Sequence, residues 1–162
     1  MESTHAKYEQ LIQDLRMDLR PQREWSQGRG IFMVIGHFVV GVAGGTWLFS
    51  LLYGSRLGLA LAFVLGALGG LLHLVNLGHP ARAWKMALQF RRSWISRGFF
   101  GLSLFLAGGF LYLVPLWLPG VLWGADSALA GAGKVMSILG MVTIIGYMGF
   151  VYTASKGIPF WN

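Results

Sequence analysis

The chain has 162 residues, of which 55% are apolar and only 12% are charged, and its formal net charge is +7. A soluble protein of this size could not bury so much apolar surface, so the composition indicates a membrane protein. The basic residues flank apolar stretches instead of covering a polar face, which argues against a nucleic-acid-binding domain. Because there is no Cys, this chain has no disulfide, no thiol nucleophile and no thiolate ligands for an iron–sulfur cluster.

Residues 1–30 are predicted to form a cytoplasmic amphipathic arm. Apolar side chains recur at helical spacing over residues 3–20, with charged residues between them; they are Tyr8, Leu11, Leu15 and Leu19. Pro21 ends the pattern. We expect a short helix that lies on the membrane surface. The alternative is a docking arm for a partner subunit.

Residues 31–162 contain four apolar spans and are predicted to form one transmembrane domain. The spans are Ile31–Tyr53, Leu57–Leu77, Phe99–Leu118 and Val135–Ala154. Each is near the ~20 residues that a helix needs to cross the hydrocarbon core, where backbone groups must be satisfied internally. The expected fold is therefore an all-α integral membrane protein, a four-transmembrane-helix bundle.

Glycines in the first two spans have the spacing of helix-packing positions. Gly41 and Gly45 form one pair, and Gly66 and Gly70 form another. Small residues at this spacing let helix backbones approach closely in lipid. They predict a tight bundle and carry no chemistry of their own.

The basic residues are distributed unevenly between the two ends of the bundle. Eleven of the 13 lie on the side of the N-terminus, the second loop and the C-terminal tail, leaving only Arg56 and Lys134 opposite. The positive-inside rule predicts that this richer side, which holds both termini and the second loop, is cytoplasmic. A basic surface for an acidic partner subunit would produce the same asymmetry.

Polar side chains are predicted to meet at the basic end of the bundle. His37 lies early in the first span, His73 and Asn76 late in the second, and Tyr147 and Tyr152 late in the fourth. Polar groups within a membrane are costly and usually mark a function. This cluster suits a quinone headgroup, since the carbonyl oxygens need hydrogen-bond donors and quinol oxidation needs a proton acceptor such as His. Hydrogen bonding to nearby backbone is the purely structural alternative.

Two other hypotheses for the function stay open. His37 and His73 are the only pair of histidines within spans, so they are the candidate axial ligands of a single b-type haem. The chain could also be a purely structural assembly subunit.

Two motifs resemble a known family. Residues 76–84 read NLGHPARAW, similar to the signature of the polysulfide reductase (NrfD-type) membrane subunits, and residues 93–98 read SWISRG, similar to a loop of the dimethyl sulfoxide reductase anchors. The Gly-rich first span and the ending IPFWN at 158–162 also fit. The resemblance touches most of residues 28–162.

The resemblance implies a haem-free subunit that exchanges electrons with quinone and anchors an iron–sulfur subunit, itself usually attached to a molybdopterin catalytic subunit. Two departures stand out. Asn76 occupies the position of an acidic residue or His, so a proton acceptor would have to be His73, one turn earlier. The chain also has four spans where the family has eight to ten helices, which makes it the first part of a longer protein or a short anchor.

The combined expectation is a quinone-interacting membrane anchor of an iron–sulfur oxidoreductase. The expected headgroup contacts are His37, His73, Asn76, Arg82 and Tyr147. The expected docking residues for the iron–sulfur partner are Arg91, Arg92, Ser96 and Arg97. The cofactor is a menaquinone or ubiquinone. Neither a metal site nor a catalytic residue for the substrate half-reaction is expected in this chain.

Overall fold

The computed structural model describes residues 4–18, 28–77, 79–91, 93–118 and 120–151. Every regular element in these ranges is helical. The elements are α1 (Thr4–Asp18), α2 (Gly30–Leu52), α3 (Arg56–Asn76), a 3₁₀-helix called the loop helix (Pro80–Gln89), α4 (Trp94–Trp117) and α5 (Ala128–Phe150). Helices α2 to α5 are long and apolar enough to cross a membrane. The prediction of an all-α, four-span membrane protein is therefore confirmed.

The helix that was predicted in the N-terminal arm is present as α1. Its Tyr8, Leu11 and Ile12 side chains are exposed. Leu19 and Pro21 lie outside the described residues. The placement of α1 on the membrane surface, or on a partner, stays a prediction.

The last two spans start earlier than hydropathy predicts, because serine side chains cap them. The Ser93 hydroxyl accepts a hydrogen bond from the Ser96 N–H at 3.4 Å, so α4 begins at Trp94 instead of Phe99. The Ser127 hydroxyl accepts from the Ala130 N–H at 3.2 Å, so α5 begins at Ala128 instead of Val135. These caps satisfy first-turn N–H groups, which lack partners within a helix. The first turns of these helices are too polar, or their side chains too small, to be detected as part of an apolar run.

The bundle is built from two hairpins. Helix α2 packs along α3, with a tight turn at Gly54, whose φ of +66° favours glycine. Helix α4 packs along α5. The hairpins then meet where α2 contacts α5 and where α3 contacts α4. A ring of four antiparallel neighbours results, with the start of α2, the end of α3, the start of α4 and the end of α5 at one end of the bundle.

Glycines bring the α4 and α5 backbones together. A methyl group on Gly140 would lie 2.7 Å from the Gly101 carbonyl oxygen, and one on Gly133 would lie 2.8 Å from the Gly108 carbonyl oxygen. In the first hairpin, a methyl group on Gly69 would lie 3.2 Å from the carbonyl oxygen of Gly36 on α2. The two distances between α4 and α5 leave no room for a side chain, so glycine is required there. At Gly69 the α2 backbone would have to give by a few tenths of an ångström, and the added methyl group would also overlap the Val40 side chain.

The glycine pairs expected from spacing serve a different purpose. Gly66 and Gly70 receive the Phe105 and Leu102 side chains of α4, and Gly41 receives Met148 of α5. Gly45 faces open space, with nothing within 4 Å of an added methyl group. Spacing in sequence therefore identified three glycines that receive side chains, but it did not identify the backbone crossings.

Aromatic packing fills the core between the two hairpins. Trp47 and Phe105 are fully buried, and their rings meet edge to face with centroids 5.0 Å apart. Such edge-to-face pairs contribute about 0.5–1.5 kcal/mol beyond the area that they bury. Met141 and Ile144 of α5 complete the fully buried core. This packing joins the two hairpins. The polar residues lie nearer to the basic end of the bundle.

Candidate quinone site

His37 is held between a backbone carbonyl and a phenol. Its Nδ1 lies 3.1 Å from the Met33 carbonyl oxygen, one turn earlier on α2. Its Nε2 lies 3.2 Å from the hydroxyl oxygen of Tyr147 on α5. Because a carbonyl oxygen only accepts, Nδ1 carries the hydrogen, and in the neutral ring Nε2 is then the acceptor. Tyr147 therefore donates its O–H to His37, across the seam between the hairpins.

His73 meets the His37 ring from the neighbouring helix. The two ring centroids are 4.8 Å apart, with the ring planes at 87°. The close approach depends on Gly36, because a methyl group there would lie 3.2 Å from His73 Cε1. Among the residues that the structure describes, none forms a hydrogen bond with the His73 ring nitrogens. His73 thus brings one donor and one acceptor to the site.

A cavity of about 880 Å³ opens beside these side chains. His37, His73, Asn76 and Tyr147 all line it. The Asn76 amide, like the His73 ring, has no hydrogen bond within the described residues. The volume lies in the usual range for small-molecule sites.

The rest of the cavity is apolar and extends towards the membrane centre. It is lined on α3 from Asn76 to Ala67, a distance of about 14 Å at about 1.5 Å per residue. Val40, Leu106 and Ile144 lie at its deep end. One polar end and one apolar body match an amphipathic ligand whose polar part lies near the membrane surface.

The polar end is covered by the segment that joins α3 to α4. Met86 of the loop helix and Leu77 line the cavity there, and Ala83 of the same helix is buried. The Arg29 guanidinium donates to the Val75 carbonyl oxygen at 2.7 Å and ties the start of α2 to the last turn of α3. That carbonyl is one of the last four of its helix, which have no partner within the helix.

The structure brings together four of the five predicted headgroup residues. His37, His73, Asn76 and Tyr147 share the cavity. Arg82 is exposed on the loop helix and does not line it. The loop helix runs over the end of the bundle with Met86 towards the cavity and Arg82 away from it. Tyr152 lies outside the described residues.

The predicted docking residues have unequal surroundings. Arg91 is exposed, whereas Ser96 is only 3% exposed and cannot present a surface to a partner. Arg97 donates to the Phe90 and Arg91 carbonyl oxygens at 3.2 and 3.1 Å, and its guanidinium lies over the Trp94 ring. Arg92 lies outside the described residues. Arg97 therefore fixes the connection between the loop helix and α4.

Two residues that shape the site were not expected from the sequence. Gly98 gives room to Tyr147, because a methyl group there would lie 2.6 Å from the phenol ring. Trp94 lines the polar end of the cavity and stacks on Phe150, with ring centroids 4.8 Å apart. The spacing of Gly98 and Gly101, one helical turn apart, could have indicated a packed face here. Nothing in the sequence indicated that the face would receive a tyrosine.

Comparison with protein families, with curated proteins and with solved structures finds no match for this chain. The geometry of the cavity therefore carries the functional argument.

Proposed function

We propose that the cavity binds an isoprenoid quinone or quinol and that the chain is a membrane anchor that passes electrons between the quinone pool and an iron–sulfur subunit. The observation that carries the proposal is the meeting of His37, His73, Asn76 and Tyr147 at one end of an otherwise apolar cavity. A quinone has the same division, with two polar oxygens on a headgroup and a hydrocarbon tail. The resemblance of residues 76–84 and 93–98 to quinone-linked anchor subunits supports the same function.

His73 and Asn76 have different roles at the headgroup. Within the described residues, neither the His73 ring nor the Asn76 amide has a hydrogen-bond partner, so both can donate to a quinone carbonyl oxygen. A bound quinol supplies two electrons and two protons when it is oxidised. The two electrons pass to the iron–sulfur subunit. The acceptor nitrogen of the His73 ring takes one proton and releases it to solvent before it takes the second, whereas an amide is not a base at physiological pH. His73 thus takes the role that the acidic residue or His before Leu-Gly would fill in the family pattern.

The geometry of the histidine pair weighs against the b-type haem alternative. Two axial ligands bind iron from opposite faces of a porphyrin, so the macrocycle must fit between their rings. Here the His37 and His73 rings touch, at 4.8 Å between centroids, and both His37 nitrogens already face hydrogen-bond partners. An optical spectrum tests this directly, because a Soret band that shifts on reduction would refute the haem-free proposal.

The proposed iron–sulfur partner docks beside the loop helix. Arg82, Lys85 and Arg91 are exposed there, close to the polar end of the cavity. Exposed cations complement an acidic partner surface and speed its association. We place this end on the cytoplasmic side, from the excess of Lys and Arg at the same end. The resemblance to the anchor subunits favours the inner membrane of a prokaryote. The partner in turn would bind a molybdopterin subunit.

The experiment is replacement of His73 by Ala, with His79→Ala as the matched control. His79 is exposed on the loop before the loop helix and does not line the cavity. Loss of a proton acceptor lowers turnover by about 10²-fold or more. We expect quinol-linked turnover of the purified complex to fall by that factor in His73→Ala and to stay unchanged in His79→Ala. Unchanged turnover in an assembled His73→Ala complex would remove His73 from the site.

The structural-assembly alternative predicts a different binding result. If the chain only holds a complex together, a quinone-site inhibitor binds equally well with and without it. The proposal instead expects inhibitor binding to require this chain and to weaken in Asn76→Leu, which keeps a similar size but removes the amide. Identification of an iron–sulfur protein among the co-purifying subunits tests the partner.

A further inference from the structure

Side chains of the described residues cover the cavity at the end that faces the membrane surface and at the deep end. Met86 and Leu77 cover the end that faces the membrane surface. Val40, Leu106 and Ile144 belong to the core cluster or pack against it at the other end. A ligand that arrives from water would have to displace the loop helix.

The seam between α2 and α5 is also filled. A methyl group on Gly41 would lie 3.1 Å from Met148 Cε, and one on Gly44 would lie 3.5 Å from Met141 Sδ. Side chains of α5 therefore rest directly on the α2 backbone along this seam. Nearer to the membrane surface, the Tyr147 phenol fills the seam between α2 and α5 and is hydrogen-bonded to His37.

The seam between α3 and α4 differs, because residues that line the cavity there are also exposed on the outside of the bundle. Leu71 on α3 is 59% exposed and Ile95 on α4 is 56% exposed. Ser103, also on α4, is exposed as well, and its hydroxyl is bound to the Phe99 carbonyl oxygen of its own helix. These three residues form what we call the α3/α4 mouth. Its inner limit is Leu102, which rests on the Gly70 backbone.

A long isoprenoid tail cannot fit inside the cavity. The lined length of about 14 Å along α3 is about half of the ~30 Å hydrocarbon core. Whatever part of the tail lies beyond the cavity must leave through a side that lipid reaches. Within the described part of the chain, the α3/α4 mouth is the side of the cavity whose lining residues reach the outer surface of the bundle.

We propose that the quinone enters laterally from the lipid through the α3/α4 mouth and that its tail remains there while the headgroup contacts His73 and Asn76. This inference rests on the proposed quinone function and assigns the route by which the ligand reaches the site. It also predicts that long-chain quinones use contacts that a tailless analogue does not have.

The test places a bulky side chain in the mouth and compares two probes. The full chain is reconstituted in lipid nanodiscs, and equilibrium binding is measured for duroquinone, which has no tail, and for a long-chain menaquinone. In Ser103→Trp we expect menaquinone binding to weaken by about tenfold or more, while duroquinone binding changes by less than about twofold; tenfold corresponds to about 1.4 kcal/mol. Leu71→Trp, on the other helix, should behave in the same way.

The matched control is Ala107→Trp. Ala107 lies one turn further along α4, is exposed and does not line the cavity. We expect both probes to bind to it as to the wild type. The route would be overturned if both mouth variants bound menaquinone with wild-type affinity. It would also be overturned if both probes lost affinity equally, because an equal loss would mean that the substitutions disturb the headgroup site and not the path of the tail. If neither probe binds to the wild-type chain, the proposed function fails and the route fails with it. If wild-type binding depends on His73 while the mouth variants bind normally, only the route fails.

Discussion

Gly98 leaves the space that the Tyr147 ring occupies, so Gly98→Ala should displace the phenol. The added methyl group would lie 2.6 Å from two ring carbons, about 0.8 Å closer than ordinary contact. The Tyr147 hydroxyl is already 3.2 Å from His37 Nε2, so a shift of that size breaks the hydrogen bond. Overpacking costs about 1–3 kcal/mol and the lost hydrogen bond about 0.5–1.5 kcal/mol. Relative to a Gly→Ala change that meets no neighbour, we expect a destabilisation of about 1.5–4.5 kcal/mol.

The assay for Gly98→Ala is reversible unfolding in mixed micelles, with quinone binding measured in parallel. Gly131→Ala is the control, because a methyl group on Gly131 of α5 meets nothing within 4 Å. Alanine has the higher helix propensity by about 1 kcal/mol, so Gly131→Ala should be neutral or slightly stabilising. Tyr147→Phe separates the two causes, since it loses the hydrogen bond without the clash. If Gly98→Ala and Gly131→Ala unfold alike and bind quinone alike, the argument about Tyr147 is wrong.

Three further predictions concern stability. Arg29→Ala should lower the free energy of unfolding by about 0.5–1.5 kcal/mol, because the Val75 carbonyl loses its donor; Arg29→Gln, which keeps a donor, should recover part of that in the same titration. Ser127→Ala should cost about 1 kcal/mol by removing the N-cap of α5, and Ser127→Asp should restore most of it. Gly140→Ala should separate α4 from α5 and prevent stable folding, detected as loss of a monodisperse peak in size-exclusion chromatography, whereas Gly146→Ala, with open space around it, should fold normally.

Hydropathy was sufficient to locate the four spans, because no other structure satisfies the backbone of so long an apolar run in lipid. Counting positions from the helix ends was sufficient to group His37, His73, Asn76 and Tyr147, since antiparallel helices return their ends to the same side. The depth of a residue in the membrane depends only on its distance from the end of its helix, and that distance can be counted in the sequence. Four of the five predicted headgroup contacts therefore share one cavity.

What sequence position does not record is direction around a helix or a loop. Arg82 and Met86 lie in the same short loop helix, yet Met86 faces the cavity and Arg82 does not. Ser96 and Arg97 are neighbours in a motif, yet Ser96 is buried and Arg97 donates two hydrogen bonds to the carbonyl oxygens of the loop. The glycines that pair across helices, such as Gly101 with Gly140, depend on the register between two segments that the intervening loop sets. These relations follow from packing alone.

The hydrogen bond between Tyr147 and His37 has a mechanical consequence. His37, His73 and Asn76 all belong to the first hairpin, whereas Tyr147 belongs to the second. Within each hairpin the helices pack along each other with glycines at their backbone crossings, whereas the two hairpins meet over fewer contacts. The hydrogen bond between the Tyr147 hydroxyl and His37 therefore links the two hairpins. A ligand that accepts a hydrogen bond from the Tyr147 hydroxyl in place of His37 would therefore remove a contact that links the two hairpins.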